Sequence, residues 1–235
     1  MTRIAILQPN YIPWRGYFDL INQVDIFVFL DDVQYTKQDW RNRNKICIRK
    51  SSPNWLTIPV HTNSLDQLIN SVYINNKLPW VKKHLSALQS NYGRAPYFKE
   101  FFEPLKEIYN RRFELLVEFD IILIQQISDW LGIETEFCVS SNLNISGQKD
   151  DKLIRMIQSL GGTEYISGPA AQAYLQPSLW QDAGINLKYI DYSGYPPYLQ
   201  INPGFEPQVS ILDLIFMTGP DAPNYIWSSP TRVLV

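Results

Sequence analysis

Two uninterrupted apolar runs open the chain. Ile4-Ala5-Ile6-Leu7 breaks at Gln8-Pro9, and Ile26-Phe27-Val28-Phe29-Leu30 stops at Asp31-Asp32. Continuous apolar runs of this length, bounded by turn residues, predict strands over 4–7 and 25–30 that are buried on both faces. Between them Phe18, Leu20 and Ile21 give residues 17–22 one apolar side, which predicts a short helix. Strand, helix and strand make a βαβ unit, whose right-handed crossover sets the two strands parallel.

The pattern then changes twice. Residues 45–49 and 55–60 read as two strands joined by a Ser-, Pro- and Asn-rich turn at 50–54, and 69–74 as a further strand. Pro59 confines the second strand of the hairpin to an edge or to its own end. From about 77 to 132 a helical period takes over. It predicts helices at 80–92, with Val81, Leu85 and Leu88 on one face, at 97–109 and at 113–131, closed by Gly132. Beyond Gly132 strand and helix signals alternate again: strand 137–140, helix 151–160, strand from 165 into Ser167-Gly168-Pro169, helical 170–175, strand 185–190 and a short helix 210–217. The tail from Gly219 is expected to be irregular but docked through Tyr225 and Trp227. The expected fold is α/β, a single domain over 1–235. It has a parallel-sheet, Rossmann-like core, a helical insertion or subdomain at about 77–132 and a small β-hairpin element.

In open parallel sheets ligands bind beyond the carboxyl ends of the strands. Those ends carry Gln8, Asn10 and Tyr11 on one side, and Asp31, Asp32, Gln34 and Tyr35 on the other. A buried carboxylate pair can share a proton or hold a metal; equally, one Asp can cap the turn while the other is solvated. The following segment holds Lys37, Arg41, Arg43 and Lys45, with Trp40, Asn42 and Asn44 interleaved. Arginine presents a planar fork that matches phosphate, although charge runs are commonly solvated surface. Ser167 and Gly168 end a strand before a helix and could offer backbone N–H groups to an anion, or form a plain turn. Lys149, Asp150, Asp151 and Lys152 at the preceding helix start invite the same two readings. His84 is the one histidine to test as a general base, although a surface position is expected for it between Lys83 and Leu85. The tyrosines at 189, 192, 195 and 198 either stack on a ligand or pack a Pro-rich loop.

Composition narrows the classes. The apolar fraction is 45% and the formal charge is −2, which argues against a nucleic-acid binder with a wholly basic surface. The opening MTRIAILQP lacks the apolar region of a signal peptide, and no apolar run approaches a membrane span. A cytoplasmic protein without membrane or nucleic-acid partners is expected. Cys47 and Cys138 lie in apolar company, far apart, and are expected to be buried free thiols.

Several motifs carry a resemblance. QPNYIPWRGYFDLI from Gln8, DDVQY from Asp31, and W-RNRNKI from Trp40 resemble the WbqC-like family, as do WLTIPV, YGRAPYF, YISGPAAQAYL and SILDLIF further on. The resemblance implies a place in O-antigen or related biosynthesis and a transferase activity, including transfer of glycine to an amino sugar. The P-x-x-G-Y-F-D-L-I turn is also similar to the opening of nucleotidylyltransferases and pantoate–β-alanine ligases. There an H-x-G-H histidine pair binds triphosphate; here Trp14 and Tyr17 occupy those positions and join the substrate-binding candidates. The expected function is acyl or aminoacyl transfer to an amine acceptor such as an activated amino sugar, with a phosphate-bearing substrate, a nucleotide-sugar or a carrier-bound acyl group, and an acyl or peptidyl carrier protein as a further partner. Asp31 or Asp32 would take the amine's proton. A nucleotide-dependent ligase or adenylyl transferase with an altered histidine motif, and a non-catalytic binding or scaffold protein, are the alternatives. No reading fixes a cofactor, and no residues stand at metal-ligand spacing.

Overall fold

The structure, a computed structural model, describes residues 1–48, 51–62, 64, 66–227 and 233–234. Its centre is a six-stranded sheet containing β1 (Arg3–Leu7), β2 (Ile26–Phe29), β7 (Glu136–Val139), β8 (Glu164–Ser167), β9 (Asn186–Ile190) and β10 (Val233–Leu234), in the order β10-β9-β8-β1-β2-β7. Five strands are parallel, and β10 runs antiparallel along the β9 edge. The chain is α/β with a Rossmann-like core.

The apolar runs follow from the two layers that cover the sheet. Ile4, Ile6 and Val28 face one core with Met156, Ile157, Tyr165 and Trp180. Their neighbours Ala5, Phe27 and Phe29 face the other, with Phe18, Ile21, Phe119 and Leu123. Alternate residues of each strand point to opposite faces, so both sets must be apolar. Helix α1 (Arg15–Asn22) crosses from β1 to β2 on the second face, and α6 (Lys149–Ser159) lies on the first. The strand order reverses between β1 and β8. The crossovers through α1 and up to β7 extend the sheet one way, and the return to β8 and β9 extends it the other.

Outside this sheet, β3 (Arg43–Ile48) and β4 (Ser51–Thr57) form an antiparallel hairpin. The expected turn at 50–54 is therefore strand from Ser51 onward, and its residue 50 lies outside the described residues. Pro53 is tolerated because the register shifts between Ile46 and Ile48, where the Cys47 N–H leaves the ladder and donates to Tyr92 Oη at 2.8 Å. The expected strand at 69–74 is a 3-10 turn, Ile69–Ser71, followed by β6 (Tyr73–Ile74), which pairs with β5 (Val60–His61). Loop contacts take its amides: Ile69 and Asn70 donate to the carbonyls of Val33 and Asp31. The tail is more ordered than its sequence predicts, through 3-10 turns at Gly219–Tyr225 and the edge strand β10.

Helices α2 (Trp80–Tyr92), α3 (Phe98–Asn110) and α4 (Leu116–Trp130) follow β6. The buried face of α2 is Trp80, His84, Leu88 and Tyr92, one residue round from the expected stripe, with Val81 and Leu85 only partly covered. This corrects the surface position expected of His84. After β7 come a short helical turn, α5 (Ser140–Leu143), and then α6; α7 (Pro177–Asp182) lies between β8 and β9, and α8 (Ile211–Thr218) precedes the tail. Among the described residues no helix is long and apolar enough to cross a membrane. Both cysteines are free; Cys47 is buried and Cys138 half-buried.

Candidate functional site

At the point where the strand order reverses, a cavity of about 440 Å3 opens over the carboxyl ends of β1 and β8. Gln8 enters it from the end of β1, Ser167 and Gly168 from the end of β8, Arg41 from the loop before β3, Lys149 and Lys152 from the first turn of α6, and Tyr174 from the segment after β8. Its floor is apolar: Ile6, Leu30, Leu153 and Tyr165. Every ionisable side chain in this lining apart from the two tyrosines is a cation. The compensating carboxylates stand just behind it. Lys152 Nζ lies 2.7 Å from Asp32 Oδ2, and Arg41 pairs with Asp39. Arg41 Nε is buried without a hydrogen-bond partner among the described residues.

The two aspartates after β2 have different surroundings. Asp31 is buried, and its Oδ1 accepts from the Ser141 N–H at 2.9 Å while its Oδ2 accepts from Ser141 Oγ at 2.7 Å. Ser140 Oγ lies 3.0 Å from Asp31 Oδ1 and 2.6 Å from Asp32 Oδ1, so one hydroxyl proton bridges the two carboxylates. Asp31 thereby stitches the end of β2 to the start of α5. Asp32 keeps partial exposure and reaches the cavity through Lys152.

The turn from Gln8 to Trp14 forms the next wall, and the polar residues expected there hold it in shape. Asn44 Nδ2 donates to the carbonyls of Tyr11 (3.2 Å) and Ile12 (2.9 Å), the latter at φ +37°. Tyr17 Oη donates to the Gln8 carbonyl at 3.0 Å, whereas Asn42 Nδ2 donates away from the turn, to the Ile58 carbonyl at 2.9 Å. A Cβ on Gly16 would come within 2.3 Å of the Trp14 ring, so glycine lets the indole pack against the start of α1. Beyond the turn a second cavity of about 340 Å3 is lined by Asn10, Pro13, Trp14, Trp40, Asn44 and Gln208.

Other expected site residues lie elsewhere. Arg43 and Lys45 alternate along β3 and sit over the ring of Trp55, at 4.2 and 5.3 Å from its centroid. Of the expected basic loop, only Arg41 reaches the β1–β8 cavity. Gln34 is exposed and bridges to Leu68. Tyr11 and His84 are in the helical layer. His84 Nε2 lies 3.1 Å from the Thr57 carbonyl, which can only accept, so Nδ1 accepts from Tyr11 Oη at 2.8 Å, and Tyr11 in turn takes a hydrogen bond from Tyr109. Burial pulls the imidazole down to about 4, so it is neutral at physiological pH with both nitrogens engaged. This neutral, sequestered ring is a poor general base. Nearby Asp120 is fully buried; its Oδ1 lacks a partner among the described residues, and burial raises its carboxyl well above the usual range.

The tyrosines of the Pro-rich loop hold carboxylates of the core: Tyr195 Oη donates to Asp19 Oδ2 and Tyr198 Oη to Asp213 Oδ2. A further cavity of about 840 Å3 lies between α2 and α3 and touches none of these groups.

A model of the WbqC-like protein family matches residues 8–225, a span that holds the whole lining of the second cavity and, apart from Ile6 and Leu7, that of the first. The chain belongs to the WbqC-like family. It is 41% identical over 230 residues to the uncharacterized protein Rv1507c of Mycobacterium tuberculosis, covering 96% of this chain and 98% of that one. No solved structure matches the chain at a significant level. Within this family member, sequence reasoning leaves Lys149 and Lys152 open and passes over Gln208. The lysines had a visible signal in their helix start next to a strand–turn–helix; Gln208 sits in a Pro-rich stretch with none.

Proposed function

We propose that the chain is a group-transfer enzyme that anchors a phosphate-bearing substrate in the β1–β8 cavity and moves an acyl or aminoacyl group to an amine, in the sugar biosynthesis that its family resemblance implies. One observation carries this reading: Arg41, Lys149 and Lys152 meet in one cavity where the strand order of a Rossmann-like sheet reverses. A concave site lined by one sign of charge concentrates the opposite one. The unpaired N–H of Arg41 is a donor that a phosphate oxygen would satisfy.

In the transfer, the amine nitrogen attacks the acyl carbonyl and the C–N bond forms. The bond to the sulfur or phosphate oxygen of the donor breaks, and that atom departs with its electron pair. The amine's proton passes to Asp32, the partly exposed member of the carboxylate pair, and Lys152 faces the charge that develops on the leaving group. Asp31 positions Asp32 through the Ser140 hydroxyl. A nucleotide-sugar diphosphate or a carrier's phosphopantetheine arm fits this anchor, and the cytoplasm holds both. The adenylyl-transfer alternative draws no comparable support, because Trp14 packs on Gly16 and Tyr17 is spent on the Gln8 carbonyl.

Calorimetric titration of UDP, a UDP-sugar and phosphopantetheine into the wild type, Arg41→Ala and Lys152→Ala at two ionic strengths tests the anchor. Loss of one charge-assisted contact is expected to weaken binding by about ten- to hundred-fold. Salt is expected to weaken it further. Equal affinities in all three proteins, unmoved by salt, would overturn the reading.

A further inference from the structure

The second cavity differs in kind from the first. Among the described residues, its lining contains no charged side chain. Two indoles, Trp14 and Trp40, supply its apolar surface, and Trp40 is 43% exposed, an area of aromatic surface that the protein's own packing leaves uncovered. Trp14 is held by edge contacts with Tyr192 and Tyr195 at 5.1 and 6.1 Å between centroids, and by its seat on Gly16. Asn10 Oδ1 is buried and unpartnered among the described residues, an acceptor waiting for a donor. The Gln208 side chain is exposed at the rim.

We infer that this cavity binds the ring of a sugar, and that together with its neighbour it takes a sugar phosphate. The inference rests on the phosphate reading of the β1–β8 cavity and names the group attached to that phosphate. A pyranose has an apolar C–H face to lay on an indole and a rim of hydroxyl donors to meet Asn10 Oδ1 in almost any rotation. Asn44 has both ends of its amide taken, its Nδ2 by two carbonyls and its Oδ1 by the Lys45 N–H at 2.7 Å, which leaves Asn10 and the rim residue Gln208 as the amides facing a ligand.

The two cavities are side by side along the chain. Gln8 lines one and Asn10 the other, with Cα atoms at most about 7 Å apart. Arg41 lines one and Trp40 the other, as adjacent residues. The Tyr11 N–H donates to the Trp40 carbonyl at 2.9 Å, tying the two walls together. A charged group and an uncharged ring joined by a single linkage match that arrangement.

Inorganic phosphate, glucose 1-phosphate and UMP are titrated into the wild type, Trp40→Ala, Gln208→Ala and Arg41→Ala, each checked by thermal melting. The wild type is expected to hold glucose 1-phosphate about tenfold or more tightly than inorganic phosphate. Trp40→Ala is expected to erase that gain and leave inorganic phosphate unchanged, Gln208→Ala to reduce it, and Arg41→Ala to weaken every ligand. If phosphate binding depends on Arg41 but the gain is missing or survives Trp40→Ala, the sugar subsite falls and the phosphate anchor stands. A Trp40-dependent gain seen with UMP alone would replace the sugar by a base. If no phosphate compound binds, both readings fall.

Discussion

Lys152 in the first turn of α6 places its ammonium 2.7 Å from Asp32 Oδ2 at the end of β2, so the cavity's most enclosed lysine is already half-neutralised by a carboxylate behind it. The pair separates two roles that the carboxylate could have. Asp32→Asn removes the competing charge and keeps the shape. Inorganic phosphate is expected to bind this variant more tightly, by roughly three- to tenfold, while turnover in a reconstituted sugar-pathway extract is lost. Tighter binding with full turnover would make Asp32 a counter-ion only.

Asp31→Asn is expected to act on stability instead. The carboxylate accepts from Ser141 twice and shares the Ser140 proton, and an amide NH2 turned toward those donors breaks at least one contact. A loss of about 2 kcal/mol is expected, from the ordinary worth of a hydrogen bond to a charged group. Urea unfolding of the variant beside Asp32→Asn measures it. Equal midpoints for the two variants would contradict the structural role.

Arg43 and Arg41 are expected to part company. Arg43→Ala loses a cation–π contact with Trp55 and should cost about 1 kcal/mol of stability, with phosphate affinity unchanged. Arg41→Ala is expected to show the reverse. Denaturant midpoints and calorimetric affinities on the same two preparations give both readings.

Two buried groups set opposing pH dependences. His84 titrates near 6.5 when unfolded and about 4 when folded, because burial disfavours the imidazolium. Between those values the unfolded chain binds a proton that the folded one refuses, so this contribution is intact above pH 6.5 and is lost as pH falls toward 4, about 3 kcal/mol in all. Asp120 works in the other direction. Burial holds its carboxyl protonated to higher pH in the fold than in the unfolded chain, where it ionises from about 3.8, so its contribution falls as pH rises. Asp120→Asn is therefore expected to gain stability over the wild type by an amount that grows with pH, and to unmask the loss on acidification due to His84. Parallel stability curves for variant and wild type between pH 4 and 7 would rule this out.

The parallel core was legible because its strands are apolar on both faces and end in turn residues, as Ile4 to Leu7 and Ile26 to Leu30 are. The expected site lay beyond the ends of β1 and β2, whereas the cavity opens over β1 and β8, on the other side of β1, where the strand order reverses. Side-chain direction was not legible. Nothing in RNRNK distinguishes Arg41, still in the loop, from Arg43, already in β3 and turned onto Trp55. His84 lies in α2 between Lys83 and Leu85, yet the stripe that faces inward is Trp80, His84, Leu88 and Tyr92, chosen by partners as distant as Tyr11 and Tyr109. Such long-range pairings leave no local period to read.

The turn that carries Gln8 and Asn10 is anchored from three directions: by Asn44 on its carbonyls, by Trp40 on its amide, and by His84 and Tyr109 on the ring of Tyr11. A partition fixed this firmly does not have to fold around a ligand. Little ordering entropy is lost at the moment of association, so discrimination among ligands falls to the groups on either side of the partition rather than to its closure. The helical layer, which touches no substrate in this scheme, thereby acts as a buttress that keeps two neighbouring sites in register.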